Sequence, residues 1–226
     1  MSGIKAVFFD IDNTLYNTCR LAEASRRNAI KAMIEAGLTI EEEEGYRKLL
    51  EIVRKHGPNF DHHYDVLVKK YSGEKKHKII AAGIVAYHTT KLGYLVPYPE
   101  TIPMLLKLKQ AGIRLGIISN GVPTKQWEKL IRLGLQHFFD YVIISEDKVQ
   151  KPDPRIFGGA VVRAGCRPEE TMMVGDDIMK DISGANKAGM NTVLVARGET
   201  KKPRRKADEP DYLIKDLRGL LGILNI

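Results

Sequence analysis

The sequence predicts an α/β fold, a parallel sheet with helices on both faces, interrupted after its first strand by an inserted bundle of helices. Three observations carry this. Residues 4–9 form a compact apolar run rich in strand formers, while residues 16–96 show helical spacing almost throughout. From residue 97 onward, strand-like and helix-like segments alternate, as they do in sheets built from βα units. Finally, four polar motifs each follow an apolar run: Asp10-Ile11-Asp12-Asn13-Thr14, Ser119-Asn120-Gly121, Lys151-Pro152 and Gly175-Asp176-Asp177-Ile178-Met179-Lys180-Asp181. Strand ends of a parallel sheet share one rim, and ligands bind there, so motifs far apart in sequence can converge on one site.

The predicted elements follow in order. Residues 4–9 make the first strand. In the insertion, Leu21, Ser25, Ala29, Ala32, Met33 and Ala36 fall near one helical face, and Gly37 supplies a stop. Thr39 and Glu42 have the spacing of a capping box ahead of Tyr46, Leu49, Leu50 and Val53, and Gly57-Pro58 breaks that helix. Two more helices are expected around 60–71 and 76–91, completing a four-helix unit. Helix 100–110 is closed by Gly112 and followed by strand 114–118, and helix 125–133 is closed by Gly134 and followed by strand 141–144. Asp153-Pro154 supplies a cap and first-turn proline for a helix through Ala164. Strand 171–174, helix 178–188 ending at Gly189 and strand 192–195 complete the pattern. The expected organisation is a core of residues 1–15 and 97–226 and a helical insert of residues 16–96.

Composition narrows the partners. A chain of 226 residues, 43% hydrophobic, suits one domain with a smaller insert. It has no apolar run long enough for a membrane span and no signal-peptide pattern, so a cytoplasmic location is expected. Cys19 and Cys166 form neither a metal-binding nor a disulfide pattern and read as reduced thiols. The formal charge of +8 favours anionic partners. Its densest basic run, Lys201-Lys202-Pro203-Arg204-Arg205-Lys206, lacks interleaved aromatics and reads as a solvated loop, so nucleic acid is not the expected partner. The His62-His63 pair reads as surface, and Trp127 as a packing residue.

The motifs carry chemistry. Asp10, at the end of a buried strand, can be a metal ligand or a nucleophile, and Asp12 points to the same side two residues later. With Asp176 and Asp177 at another strand end, this oxygen-rich set invites a hard divalent cation such as Mg²⁺, which leaves room for a substrate phosphate. Ser119, Asn120 and Gly121 offer a hydroxyl, an amide and a flexible backbone, suited to cradling phosphoryl oxygens. Lys151 adds a fixed positive charge.

With these four motifs in this order, nearly the whole chain resembles a haloacid dehalogenase-superfamily phosphohydrolase of the subgroup with a helical cap inserted after the first motif. The resemblance implies a Rossmann-like core, a cap that opens and closes over the site, and a covalent aspartyl-phosphate. Asp10 would be the nucleophile and Asp12 the proton shuttle. Mg²⁺ would be held by Asp10, Asp12 (through its backbone carbonyl) and Asp176. Ser119, Asn120, Gly121 and Lys151 would bind the phosphoryl group, and Asp177 and Asp181 would orient Lys151 or metal-bound waters. Arg20, at the start of the cap, is a candidate contact for the leaving group. The namesake dehalogenases lack the second aspartate of the first motif, which this chain keeps as Asp12, so phosphate chemistry is favoured. The expected substrate is a small phosphorylated metabolite such as glyceraldehyde 3-phosphate, phosphoglycolate, an acylneuraminate phosphate or another sugar phosphate. A phosphomutase using the same aspartyl-phosphate is the near alternative, and a basic nucleic-acid-binding or regulatory module on an inactive scaffold the distant one.

Overall fold

The computed structural model describes residues 3–145, 149–198, 203 and 205–226. The chain divides into two compact units, Met1–Asn17 with Val96–Ile226, and Thr18–Leu95.

The first unit is a sheet of six parallel strands: β1 (Ala6–Phe9), β2 (Arg114–Asn120), β3 (Tyr141–Ser145), β4 (Thr171–Gly175), β5 (Asn191–Val195) and β6 (Tyr212–Ile214), in the order β3-β2-β1-β4-β5-β6. The flanking helices are α5 (Thr101–Gln110), α6 (Pro123–Arg132), α7 (Pro154–Arg163), α8 (Ser183–Lys187) and α9 (Gly219–Leu224). All four residues of β1 are buried, which is why that strand reads as a continuous apolar run rather than an alternating one. Ala6 and Phe8 join Ile156, Phe157, Ala160, Val161 and Ala185 in a core beneath α7 and α8, and by alternation Val7 and Phe9 face the other way. The first crossovers carry the chain outward from β1 to β3, and the next returns it to β4 on β1's other side. The crevice between β1 and β4 is therefore the topological switch point.

The second unit is a bundle of α1 (Thr18–Glu35), α2 (Glu42–His56), α3 (His63–Ser72) and α4 (His77–Tyr94). Ile30, Met33, Leu49, Ile52, Leu67, Val68, Ile79 and Ile80 fill its core. Gly83 lets α4 approach α1, since a Cβ there would lie 2.7 Å from the Met33 sulfur.

Several elements differ from expectation. Helix α2 starts from Glu41 with no side-chain cap, so the Thr39/Glu42 capping box does not form, and three acidic residues in its first turn favour the helix instead. Residues 178–188 are not one α-helix but a π-helical turn, Ile178–Ile182, leading into α8. Strand β6 and helix α9 were not predicted, for three and six residues are too few to show a period. Trp127 is 40% exposed rather than packed. Within the basic run, Lys201, Lys202 and Arg204 lie outside the described residues, whereas Pro203, Arg205 and Lys206 are exposed.

One glycine ties the fold to the site. A Cβ on Gly184 would come within 2.4 Å of the Phe157 ring and 2.6 Å of the Pro152 carbonyl oxygen, so α8 sits directly on the Lys151–Pro152 segment. Backbone cannot yield as a side chain can. Gly184→Ala is expected to cost about 1–3 kcal/mol, read from urea unfolding, and to lower kcat by displacing Lys151. An unchanged midpoint with full activity would show that the contact is loose.

Candidate active site

Register brings the motifs level. Phe9 pairs with Ile117 on one side and Val174 on the other, so Asp10 leaves β1 beside Ile118 and Gly175, and Ser119 and Asp176 stand one step further along the rim. The Asp10 amide donates to the Val174 carbonyl at 2.9 Å. Asn13 adopts φ 58°, a left-handed turn that asparagine tolerates, and Leu15 N–H returns to the Ile11 carbonyl at 3.1 Å. The tight loop so formed presents Asp10 and Asp12 together.

The centre of the site is a buried charge cluster. Lys151 Nζ donates to Asp10 Oδ1 at 2.6 Å and to Asp181 Oδ1 at 2.7 Å, with all three side chains almost wholly buried. Asp181 Oδ2 also accepts from the Asp177 amide at 3.1 Å. Gly175 makes room for Asp181, because a Cβ there would lie 2.2 Å from that carboxylate oxygen. One oxygen each from Asp10, Asp176 and Asp181 lie within 4.8 Å of one another. Burial pushes the Asp10 carboxyl up to about 7, with Asp181 adding to the rise and Lys151 opposing it. It likewise raises Asp176 to about 6, helped by Asp181 and opposed by a hydrogen bond from Asn13. Burial works against the charge on Lys151, but Asp10 and Asp181 outweigh it and hold the ammonium firmly protonated. Three carboxylates crowded against one ammonium, all oxygen donors, suit a hard divalent cation.

This arrangement fixes a pH dependence. Both acids lie above their ordinary value of 3.8, so between pH about 4 and about 7 the folded protein holds protons that the unfolded chain has released. Without metal, stability therefore falls as pH rises through that window. A divalent cation displaces those protons, so its binding is expected to tighten with pH, release protons and raise Tm most at neutral pH. Calorimetry in buffers of different ionisation enthalpy checks the release, and a cation that binds equally at pH about 5 and 8 with no proton transfer would remove the site.

The remaining predicted residues have distinct placements. Ser119 is buried at the end of β2. Asn120 does not offer its amide to an anion: its Nδ2 donates to the Lys151 carbonyl at 3.0 Å and its Oδ1 accepts from the Lys151 amide at 2.8 Å. Gly121, at φ 126°, gives its N–H to the Ser145 carbonyl at 2.9 Å. The β2–β3 ladder runs through this turn, and the Asn120 side chain fastens it to the lysine segment. Asp177 caps the π-helical turn by accepting from the Met179 and Lys180 amides at 2.9 and 3.1 Å, and Lys180 Nζ lies 3.8 Å from its other oxygen. Asp12 stands apart from the acidic trio; its carboxylate oxygens each accept from Lys129 Nζ at 2.7 Å, and Oδ1 also accepts from the Tyr16 hydroxyl at 2.5 Å. Arg20 belongs to the helical unit, on the first turn of α1, exposed, with its guanidinium 5.7 Å from the Tyr94 ring centroid.

Sequence reasoning missed Lys129 and Tyr16. Lys129 is one of several cations on α6, and nothing in its spacing separates it from Lys125 or Arg132. Tyr16 lies four residues beyond Asp12, a signal available only once the loop is known to be a tight turn.

Comparison with known proteins agrees with this geometry. Residues 4–189 match the family model described as haloacid dehalogenase-like hydrolase. The chain is 50% identical to a glyceraldehyde 3-phosphate phosphatase of Methanopyrus kandleri, covering 98% of this chain and 97% of that protein. It is 48% identical to one of Methanothermobacter thermautotrophicus, covering 98% and 100%. Among solved structures it matches an HAD phosphatase from Thermococcus onnurineus with 30% identity and a TM-score of 0.65, over 97% of each chain. The chain belongs to the haloacid dehalogenase-like hydrolase family.

Proposed function

We propose that this enzyme is a Mg²⁺-dependent glyceraldehyde 3-phosphate phosphatase working through a phosphoaspartate at Asp10. The observation that carries the reading is the buried Asp10–Lys151–Asp181 cluster, with Asp176 beside it, at the switch point of the sheet. Two relatives about half identical over nearly their whole length, both named for that substrate, support its identity.

In the first half-reaction an Asp10 carboxylate oxygen attacks phosphorus as the bond to the leaving oxygen breaks, and Asp12 gives that oxygen its proton. Lys151 and Ser119 stabilise charge on the phosphoryl oxygens, and Asp181 holds the ammonium in place. In the second, Asp12 removes a proton from water, whose oxygen attacks phosphorus; the bond to Asp10 breaks and releases inorganic phosphate. Asp10, Asp176 and the backbone carbonyl of Asp12, with Asp181 adding negative charge nearby, would hold Mg²⁺, which when bound would supply the positive charge that lets a carboxylate meet a phosphate dianion.

We read the helical unit Thr18–Leu95, inserted between β1 and α5, as the cap that excludes bulk water, with exposed Arg20 as its candidate contact for the leaving group. No helix among the described residues is long and apolar enough to cross a membrane, and Cys19 and Cys166, which form no disulfide among the described residues, suit the reducing cytoplasm in which we place the enzyme.

A panel of phosphate monoesters assayed with Mg²⁺ tests this. Glyceraldehyde 3-phosphate is expected to give a kcat/KM at least about tenfold above phosphoglycolate and hexose phosphates. A higher value for another metabolite would transfer the substrate assignment to it.

A further inference from the structure

We propose that Lys129 is a positioning residue for the Asp12 carboxylate, fixing it with Tyr16 where it can serve both proton transfers. This rests on the reading of Asp12 as acid and base given above.

The inward face of α6 is polar at two places. Gln126 Nε2 donates to the Asn120 carbonyl at 2.6 Å, and Lys129, one turn on, reaches both Asp12 oxygens at 2.7 Å. One helix thus fastens the loop after β2 and the loop after β1 together. Leu130 and Leu133, buried beside these residues, anchor the helix, so Lys129 reaches Asp12 from a fixed base. Tyr16, only 2% exposed, closes the clamp from the far end of Asp12's own loop.

The geometry is unlike that of an incidental surface pair. Asp12 keeps 34% of its side chain exposed, as a group that must meet substrate and water needs, while Lys129 keeps 22% and Asp10, two residues away, keeps 10%. An aspartate this open would otherwise sample several rotamers, and only one places its oxygen at the leaving group. Contacts on both oxygens restrict that freedom in advance, which is the contribution of a supporting shell to a proton shuttle. Lys129 touches the shuttle and not the reacting atoms. Its loss should therefore act only through Asp12.

p-Nitrophenyl phosphate separates the two half-reactions, because p-nitrophenolate leaves without needing a proton whereas water attack on the phosphoenzyme still needs Asp12. The full-length enzyme with Mg²⁺ is compared as parent, Lys129→Met, Lys129→Arg, Asp12→Asn and the double variant Asp12→Asn/Lys129→Met, with Tm recorded for each. For Lys129→Met we expect kcat to fall about 10- to 100-fold, KM to change little, and a stoichiometric burst of p-nitrophenolate to precede slow turnover. Lys129→Arg should recover most of the rate, and Lys129→Met should cost almost nothing further once Asp12 is Asn. Multiplicative losses in the double variant, or a slow Lys129→Met enzyme with no burst, would overturn the inference, as would a normal kcat. If Asp12→Asn itself stays active, the assignment of Asp12 falls first and takes this inference with it, a result that the single variant alone identifies.

Discussion

Asp10→Asn is expected to lower kcat by at least about 10⁴-fold on both glyceraldehyde 3-phosphate and p-nitrophenyl phosphate, because an amide cannot form the phosphoryl bond. The same substitution should leave the fold intact. Asparagine is isosteric, and its Oδ1 can still accept from Lys151 Nζ, which lies 2.6 Å from the aspartate oxygen. Burial already holds the Asp10 carboxyl near 7, against 3.8 for the free group, so the native protein above neutral pH carries an anion that its surroundings resist. Removing that anion relieves its repulsion with Asp181, and without metal Tm above pH about 7 should hold or rise. Activity lost and stability kept would mark a residue retained for chemistry. Turnover within about tenfold of the parent enzyme would exclude Asp10 as nucleophile.

The fold class was legible because its signals are local and repeated. Buried strands such as β1 are unbroken apolar runs, and Gly37, Gly112, Gly134 and Gly189 stand at positive φ just beyond helix ends. Strand order was not legible, since it depends on which face each crossover takes. For the site, strand ends predicted Asp10, Ser119, Lys151 and Asp176 as neighbours; the register aligns Asp10, Ser119 and Asp176, and Lys151 reaches Asp10 by a hydrogen bond. Individual hydrogen bonds were beyond the sequence. Asn120 and Gly121 look like an anion cradle from residue type alone, and the sequence does not show that the Asn120 side chain is committed to the Lys151 backbone and the Gly121 N–H to the Ser145 carbonyl. Asp181 illustrates the reverse case. The resemblance gave it the orientation of Lys151 or metal-bound waters, and the π-helical turn, capped by Asp177, carries it to Lys151 Nζ and back to the Asp177 amide.

Lys151→Met is the substitution expected to damage fold and function together. The methionine stem fills a similar volume, so the effect isolates the charge. Nζ of Lys151 is shared between two carboxylates in a site where it is 3% exposed, and deleting it leaves Asp10 and Asp181 facing each other without a counter-ion. Breaking a buried ion pair from one side costs about 3–5 kcal/mol, far more than the pair contributes over an apolar replacement, because the orphaned charge has nowhere to go. The loss must depend on pH. Without Lys151 the Asp10 carboxyl is pushed further up than its present value of about 7, so at low pH it takes up a proton and escapes the penalty, while at high pH the penalty is complete. Urea unfolding of the metal-free variant should therefore show a small deficit near pH about 5 and the full deficit above pH about 8, with a bound divalent cation recovering part of it. Activity should fall at least about 10²-fold on every substrate alike, since Lys151 serves the phosphoryl group and not the leaving group. A deficit independent of pH would mean that methionine fails sterically, and the lysine would then be holding the site by its shape and not by its charge.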